Sequence, residues 1–193
     1  ARGERGVDAC IELSKDYADV SIDMDTGRRT RQMGFGDKLP YDDVTVINAV
    51  GNSPNAAVAA HRLGLQSALI SSVGHDRSGT DCMEALRIEG VHTDYVKVHE
   101  GKKTNYHYVL RYGPERTILI KHEKFPYVLP DFDMPPRYIY LSSIGEHGFE
   151  HHFEIAAYVK AHPETKLVFQ PGTFQIKVGV EKLKEIYEVT EIF

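Results

Sequence analysis

The run Val50-Gly51-Asn52-Ser53-Pro54-Asn55 gathers groups able to hold a polyhydroxylated ligand. A glycine turn lets a ligand approach the backbone. An amide such as Asn55 in the first turn of a helix can both donate to and accept from hydroxyls, beside backbone N–H groups that have no helical partner. The run continues as Ala56-Ala57-Val58-Ala59-Ala60-His61-Arg62-Leu63-Gly64, and its residue types predict a helix from Pro54 to Leu63. Ser53 suits the N-cap, Pro54 the first helical position, and Gly64 the left-handed conformation that ends a helix. Ala56, Ala59, Ala60 and Leu63 recur at i, i+3, i+4 and i+7, so this narrow face is expected to lie close against a sheet.

A second chemistry is written in His147-Gly148-Phe149-Glu150-His151, which has the H-x-x-E-H order of a zinc peptidase. Two histidines four apart on one helical face, with a carboxylate beside them, can hold zinc. Gly148 weakens the helix start, however, and no third ligand presents itself, so a solvated helix surface is the competing reading. Cys10 and Cys82 lie far apart and outside any metal-like spacing, which suits a reducing compartment where thiols act as small apolar side chains.

The elements that position these groups follow from periodicity. Val44 to Val50 reads as a strand, Pro54 to Leu63 as a helix and Ser67 to Val73 as a second strand, together a βαβ unit. A helix from about Ser78 to Glu89 is stopped by Gly90, with Gly74, Asp76 and Gly79 shaping its entry. Tyr138 to Ser142 and Lys166 to Gln170 read as strands, Phe149 to Ala161 as a helix, and Val180, Leu183, Ile186 and Tyr187 as one face of a last helix. This alternation implies a mostly parallel sheet with helices on both faces, whose ligands sit at the carboxyl ends of the strands. The turns after Val50, Ser142 and Gln170 all lie at such ends, so three segments are expected to converge on one site. Thr104 to Tyr112 and Thr117 to His122 flank Gly113-Pro114-Glu115-Arg116 as an antiparallel hairpin with a tyrosine face of Tyr106, Tyr108 and Tyr112. Ile11 to Asp23 and Arg31 to Leu39 read as a second antiparallel pair. The stretch from Pro126 to Pro136 is a connector.

Composition excludes other classes. With 193 residues, 41% hydrophobic, the chain can bury one ordinary core. Its net charge of −5 and interleaved acids and bases leave no basic stripe for nucleic acid. No apolar run approaches membrane-spanning length and no signal-peptide pattern opens the chain, so a cytoplasmic location is expected.

Gly51 to Gly64, followed by Ser71-Ser72-Val73-Gly74-His75-Asp76-Arg77-Ser78-Gly79, resembles the first signature of the ribokinase-like (PfkB) sugar kinases, roughly GG-x-GAN-x-A-x-x-x-x-RLG and then VG-x-D-x-x-G. Leu86, Glu89, Gly90, Val91 and Thr93 resemble the family's L-x-x-EGV-x-T run. Gly113 to Thr117 resembles its G-x-R hairpin, and Phe169 to Phe174 its F-N-P-G-T turn. The resemblance implies a ribokinase-like α/β fold with a small antiparallel β lid, the lid strands within about 11–39 and 104–122 and the core from about 44–103 and 137–193. It implies an ATP-dependent sugar or nucleoside kinase using Mg²⁺, with a small-molecule substrate and a possible homodimer through the lid. Gly51 would let the backbone approach the sugar, while Asn55, Asn52 and Glu146 would hydrogen-bond its hydroxyls. Val50 and Ser53-Pro54 stand where the family commonly has Gly and Gly-Ala. The N-x-x-E and G-A-G-D segments that hold magnesium and the catalytic aspartate are not found, so the chain reads as the sugar-binding half, inactive alone. Residues 1–11 are expected not to carry the family's opening G-x-x-x-x-D strand, Asp8 being a poor substitute. A non-catalytic sugar-binding or dimerising module is the alternative from another class.

Overall fold

A computed structural model describes residues 1–4, 6–14 and 19–193. The chain divides into two compact units, one of residues 1–7, 48–105 and 122–193, the other of residues 8–47 and 106–121.

The first unit is built on a parallel sheet. Its strands are β5 (Ser71–Gly74), β6 (Val96–His99), β9 (Tyr138–Leu141), β10 (Lys166–Phe169) and β11 (Thr190–Ile192). Parallel ladders join β11 to β10 and β10 to β9, and another joins β5 to β6. The two halves are joined by the opening segment, where Arg2 forms parallel bridges to both Leu141 and Ile70. Its N–H donates to Tyr140 O at 2.7 Å and its carbonyl accepts from Ser142 N at 3.0 Å. The order is therefore β11-β10-β9-opening segment-β5-β6. This corrects the reading that residues 1–11 lack the opening strand: Gly3 and Asp8 carry the G-x-x-x-x-D spacing, and polar Arg2 is the reason that the strand escapes a hydropathy pattern.

Helices α3 (His151–Ala161) and α5 (Lys184–Glu188) cover the face of Ile139, Leu141, Leu167 and Phe169, with Ile155, Val159, Leu183 and Ile186 completing that core. Each such fully buried side chain contributes about 1.5–3 kcal/mol. Helix α1 (Asn52–Arg62) contacts β9, and α2 (Arg77–Ile88) contacts β5, with Ala57, Cys82 and Leu86 buried. A further short helix, α4 (Thr173–Val178), follows the Pro171-Gly172 turn. Val180 of the expected apolar face is exposed, because a 3-10 turn at Glu181–Leu183 breaks the helical period before α5.

The second unit is antiparallel in its hairpins. Strand β2 (Asp19–Ile22) pairs with β3 (Arg29–Gln32), and β7 (Tyr106–Tyr112) pairs with β8 (Glu115–Leu119) through the two-residue turn Gly113-Pro114. β1 (Gly6–Leu13) and β4 (Tyr41–Val50) complete a sheet of order β4-β1-β7-β8. Two expectations are corrected. β4 belongs to this sheet, so β4-α1-β5 is not a βαβ unit; residues 41 to 47 are all exposed, and a strand open on both faces reads from sequence like a buried parallel one. The expected strand from Arg31 to Leu39 ends at Gln32, and the expected strand from Ile11 to Asp23 is divided between β1 and β2, with residues 15–18 outside those described.

Two helix ends show what glycine does here. Gly64 (φ +90°) and Gly90 (φ +75°) both follow helix C-caps, with N–H groups returning to His61 O and Arg87 O. A Cβ on Gly64 would meet open space, whereas one on Gly90 would lie 2.2 Å from His61 Nε2. Gly64→Ala is expected to cost about 1 kcal/mol from the left-handed backbone alone. Gly90→Ala should cost more, since the imidazole must also move. Equal unfolding midpoints in urea for the two variants would contradict the crowding at His61.

Candidate functional site

The carboxyl ends of the parallel strands meet the start of α1. Gly51 (φ +140°) is the residue before the helix, and Ala49 two positions earlier takes φ +57°, a left-handed conformation unusual for a residue with a Cβ. These two backbone reversals, with Ala49 N–H donating to Cys82 Sγ at 3.2 Å, turn the chain sharply into α1. The cap differs from expectation. Asn52, Ser53 and Pro54 are already helical, and Gly51 holds the N-cap position without a side-chain bond.

Ser53 is occupied elsewhere. It is fully buried and its hydroxyl donates to Glu4 O at 3.4 Å. A Cβ on Gly3 would come within 2.8 Å of Ser53 Oγ and 2.0 Å of Ser142 Oγ, so the opening strand, α1 and the end of β9 are in close contact at this point. The buried face of α1 is consequently Ser53, Pro54 and Ala57; Ala59 is exposed and Leu63 is 83% exposed, which corrects the expected face of Ala56, Ala59, Ala60 and Leu63.

Glu4 is the carboxylate at the centre of this junction. It accepts from Gly145 N at 3.0 Å and from the Tyr127 hydroxyl, and its other oxygen pairs with His122 Nδ1 at 3.2 Å. Burial, and then the charge of Glu4, push the Tyr127 phenol far above its ordinary value, so it remains a donor. Glu146, next to Gly145, is exposed in a 3-10 turn (Glu146–Gly148). On the far side a Cβ on Gly172 would lie 2.2 Å from Ser143 Oγ, and Gln175 ties the two turns by accepting from Gly172 N at 3.1 Å and donating to Ile144 O at 2.8 Å. The three turns thus converge as their spacing predicts, although the first arrives from β4 and not from a parallel strand.

Gly51 and Asn52 adjoin this junction through Ser53, and Glu146 adjoins it through Gly145. Asn55 is exposed and lines an open cavity of about 580 Å³ between α1 and α2 with Asn48, Arg62 and Glu89. Glu4, Tyr127 and Gln175 escaped sequence reasoning because each owes its place to a long-range contact; the signal that could have found Glu4 is its position directly after Gly3 of the G-x-x-x-x-D spacing. Asp76 behaves as expected: it caps α2 by accepting from Gly79 N at 2.9 Å and holds Thr104 through its N–H and hydroxyl. Burial works to raise its pKa, but the Thr104 and Gly79 hydrogen bonds outweigh it and hold the carboxyl below its ordinary value.

The histidines of the H-x-x-E-H run are not arranged as metal ligands. His147 lies in the 3-10 turn and His151 begins α3, so they do not share a helical face. Both nitrogens of buried His151 are taken: Arg2 Nε donates to its Nε2 at 3.0 Å, and its Nδ1 donates to Glu154 Oε2 at 2.7 Å. Burial, and then the positive charge of Arg2, lower the His151 pKa to about 4.

Residues 21–125 match the model of the pfkB family carbohydrate kinases, and the chain belongs to that family. It is 35% identical over 92 residues to a ribokinase of Bacillus subtilis (strain 168), an overlap of 44% of this chain and 31% of that protein. Among solved structures, Arabidopsis thaliana ribokinase complexed with ribose and ATP is similar with a TM-score of 0.68 at 18% identity, over 87% of this chain and 51% of that one. Methanocaldococcus jannaschii nucleoside kinase is similar with a TM-score of 0.68 at 18% identity, over 98% of this chain and 57% of that one. These structural likenesses establish a ribokinase-like fold. The chain spans about a third of the curated relative and about half of each solved structure.

The His151 environment makes stability depend on pH. In an unfolded chain histidine takes its proton near pH 6.5; in the folded protein His151 does so only near pH 4. Between these values the unfolded state binds the extra proton, so the stability is complete above about pH 6.5 and is lost as pH falls toward 4. The full effect is on the order of 3 kcal/mol. His151→Gln, which can still accept from Arg2 and donate to Glu154, should flatten the urea-midpoint profile over this range. An unchanged slope would mean that other groups carry the acid sensitivity.

Proposed function

We propose that the chain supplies the substrate-binding part of a cytoplasmic kinase that transfers the γ-phosphoryl group of ATP to a primary hydroxyl of a sugar or nucleoside. The observation that carries this reading is the convergence of the Gly51, Gly145 and Gly172 turns about Gly3 and Glu4, at the carboxyl ends of parallel strands where α/β folds bind ligands. Family membership supports it. In this reading Gly51 admits the sugar close to the backbone, and Asn52, Asn55 and Glu146 hold its hydroxyls. Phosphoryl transfer depends on positioning and electrostatics, so holding the acceptor hydroxyl still is itself a catalytic contribution.

ATP supplies the transferred group. Among the described residues no cluster of three His, Cys, Asp or Glu groups is disposed to hold a metal ion, so the Mg²⁺ of this reading is assigned no ligand here. No helix among the described residues is long and apolar enough to cross a membrane. Cys10 and Cys82 are not joined in a disulfide, in keeping with a reducing cytoplasm.

Association through the second unit is the partner this reading includes. Val44, Val46 and Ile47 of β4 and Tyr108, Ile118 and Leu119 of the β7–β8 hairpin are each 40–52% exposed, apolar surface that a partner would cover. Tyr106→Ser with Tyr108→Ser should lower the mass seen by light scattering of the intact protein, or weaken substrate binding. Unchanged mass together with unchanged affinity would refute both roles for the tyrosine face.

Two outcomes test the activity. The intact protein, given ATP, magnesium and a panel of pentoses, hexoses and nucleosides, should form ADP in a sugar-dependent way; sugar binding with no turnover would instead identify a binding module. Asn55→Ala should weaken sugar binding about five- to tenfold, the loss of one hydrogen bond, with little change in melting temperature. A lower melting temperature at unchanged affinity would make Asn55 structural.

A further inference from the structure

The second unit contains a cavity that the kinase reading does not use. It is an open cavity of about 550 Å³, the size of a small-molecule site, beside Leu110 and Tyr112 of β7 and the β2–β3 hairpin. Arg29 and Arg31 of β3 and Arg116 of β8 line it, and among the described lining residues Glu115 alone carries a carboxylate. None of the three arginines makes an ion pair among the described residues. The nearby acid Asp23 is spent on its own turn, accepting from Asp25 N and Thr26 N. Arg116 faces another arginine, Arg111, directly across the hairpin, and Arg111 is the one that has a carboxylate, Glu12 at 3.6 Å.

Arg31 is the informative member. Its guanidinium carbon lies over the Tyr112 ring, 3.8 Å from the centroid, while Nε and Nη2 are shielded from water and have no hydrogen-bond partner. Those two nitrogens form the side-on fork that receives two oxygens of a carboxylate or phosphate in parallel. A desolvated guanidinium fork without an acceptor is costly, and an entering oxyanion removes that cost. The same side chain forms part of the cavity wall.

We propose that this cavity is a binding site for a small organic anion, whose carboxylate or phosphate is received by Arg31 with Arg29 and Arg116 around it, and whose body rests on Leu110 and Tyr112. The proposal is independent of the kinase reading, because its test reads binding and not turnover. Inorganic phosphate, gluconate and neutral glucose are titrated into the protein at constant ionic strength, by calorimetry and by NMR of the arginine Nε–H groups. Saturable binding of phosphate, gluconate or both, with the Arg31 Nε–H resonance shifting, is expected, and which of the two binds assigns a phosphate ester or a carboxylate. Glucose should not reproduce the shift. Arg31→Gln should weaken binding by at least about tenfold, as should loss of any hydrogen bond to a charged group. Arg116→Gln, on an exposed strand where folding is not at risk, should weaken it severalfold, and Arg111→Gln should leave it unchanged. Absence of saturable anion binding, or equal losses in the Arg111 and Arg116 variants, overturns the proposal.

Discussion

A guanidinium lies in the middle of the parallel sheet, and much of the first unit is arranged to tolerate it. Arg2 is 3% exposed on the strand that joins the two halves of the sheet. Burial lowers its pKa to about 10, so it stays charged, and a buried charge must find acceptors. It finds Ile70 O at 3.2 Å, the unprotonated nitrogen of His151 and the face of Tyr127 at 4.9 Å. Each acceptor is then fixed by its own role. His151 must be neutral, with its proton on Nδ1, which directs that proton to Glu154. Tyr127, held by the cation, directs its hydroxyl to Glu4, and Glu4 pins the Gly145 turn. Removing one partner from such a set leaves a charge stranded, at a cost of roughly 3–5 kcal/mol. One buried cation thereby sets the register of the opening strand, α3, the connector and the turn after β9.

The junction depends equally on how little room its backbone takes. Gly3 sits against Ser53 and Ser142, and Gly172 against Ser143, each at a distance where a methyl group would overlap a hydroxyl. The small serine side chains also bond there, Ser53 and Ser142 donating to the backbone carbonyls of Glu4 and Arg2 and Ser143 to Gln175 Oε1. Ser53 illustrates the choice. As an N-cap it would satisfy one amide of α1; buried, it supplies the contact that holds α1 to the opening strand.

The fold was legible in the sequence wherever period and turn chemistry agreed. α2 with its Asp76 cap, the strands at Tyr138 and Lys166, and the tyrosine hairpin all lie within a few residues of their expected bounds, because each is fixed by local propensity. The failures share a cause. β4 looks like a buried strand because Val44, Val46 and Ile47 are apolar, yet its face is exposed, and only partner choice reveals which sheet it joins. The opening strand looks like a polar tail because Arg2 is charged where a hydropathy pattern requires an aliphatic side chain. The convergence of three turns was legible from the rule for strand ends, whereas Glu4, Tyr127 and Gln175 were not, since their hydrogen bonds span 31 to 141 residues and leave no local trace.

The two units treat their partly or fully buried arginines in opposite ways. Arg2 has an acceptor for Nε, another for a terminal nitrogen, and a ring for its face, so its charge is neutralised by fixed dipoles and requires no ligand. Arg31 has the ring alone, with the fork unanswered. No second acid stands with Glu115 among the described residues that line the cavity. Instead the hairpin places Arg116 opposite Arg111, a like-charge pair that cross-strand pairing ordinarily penalises by some tenths of a kcal/mol up to about 1 kcal/mol. A cation whose partners are built into the chain serves the fold. One left unanswered beside a cavity contributes its ring contact alone, and the proposed anion would supply the acceptor that the chain does not.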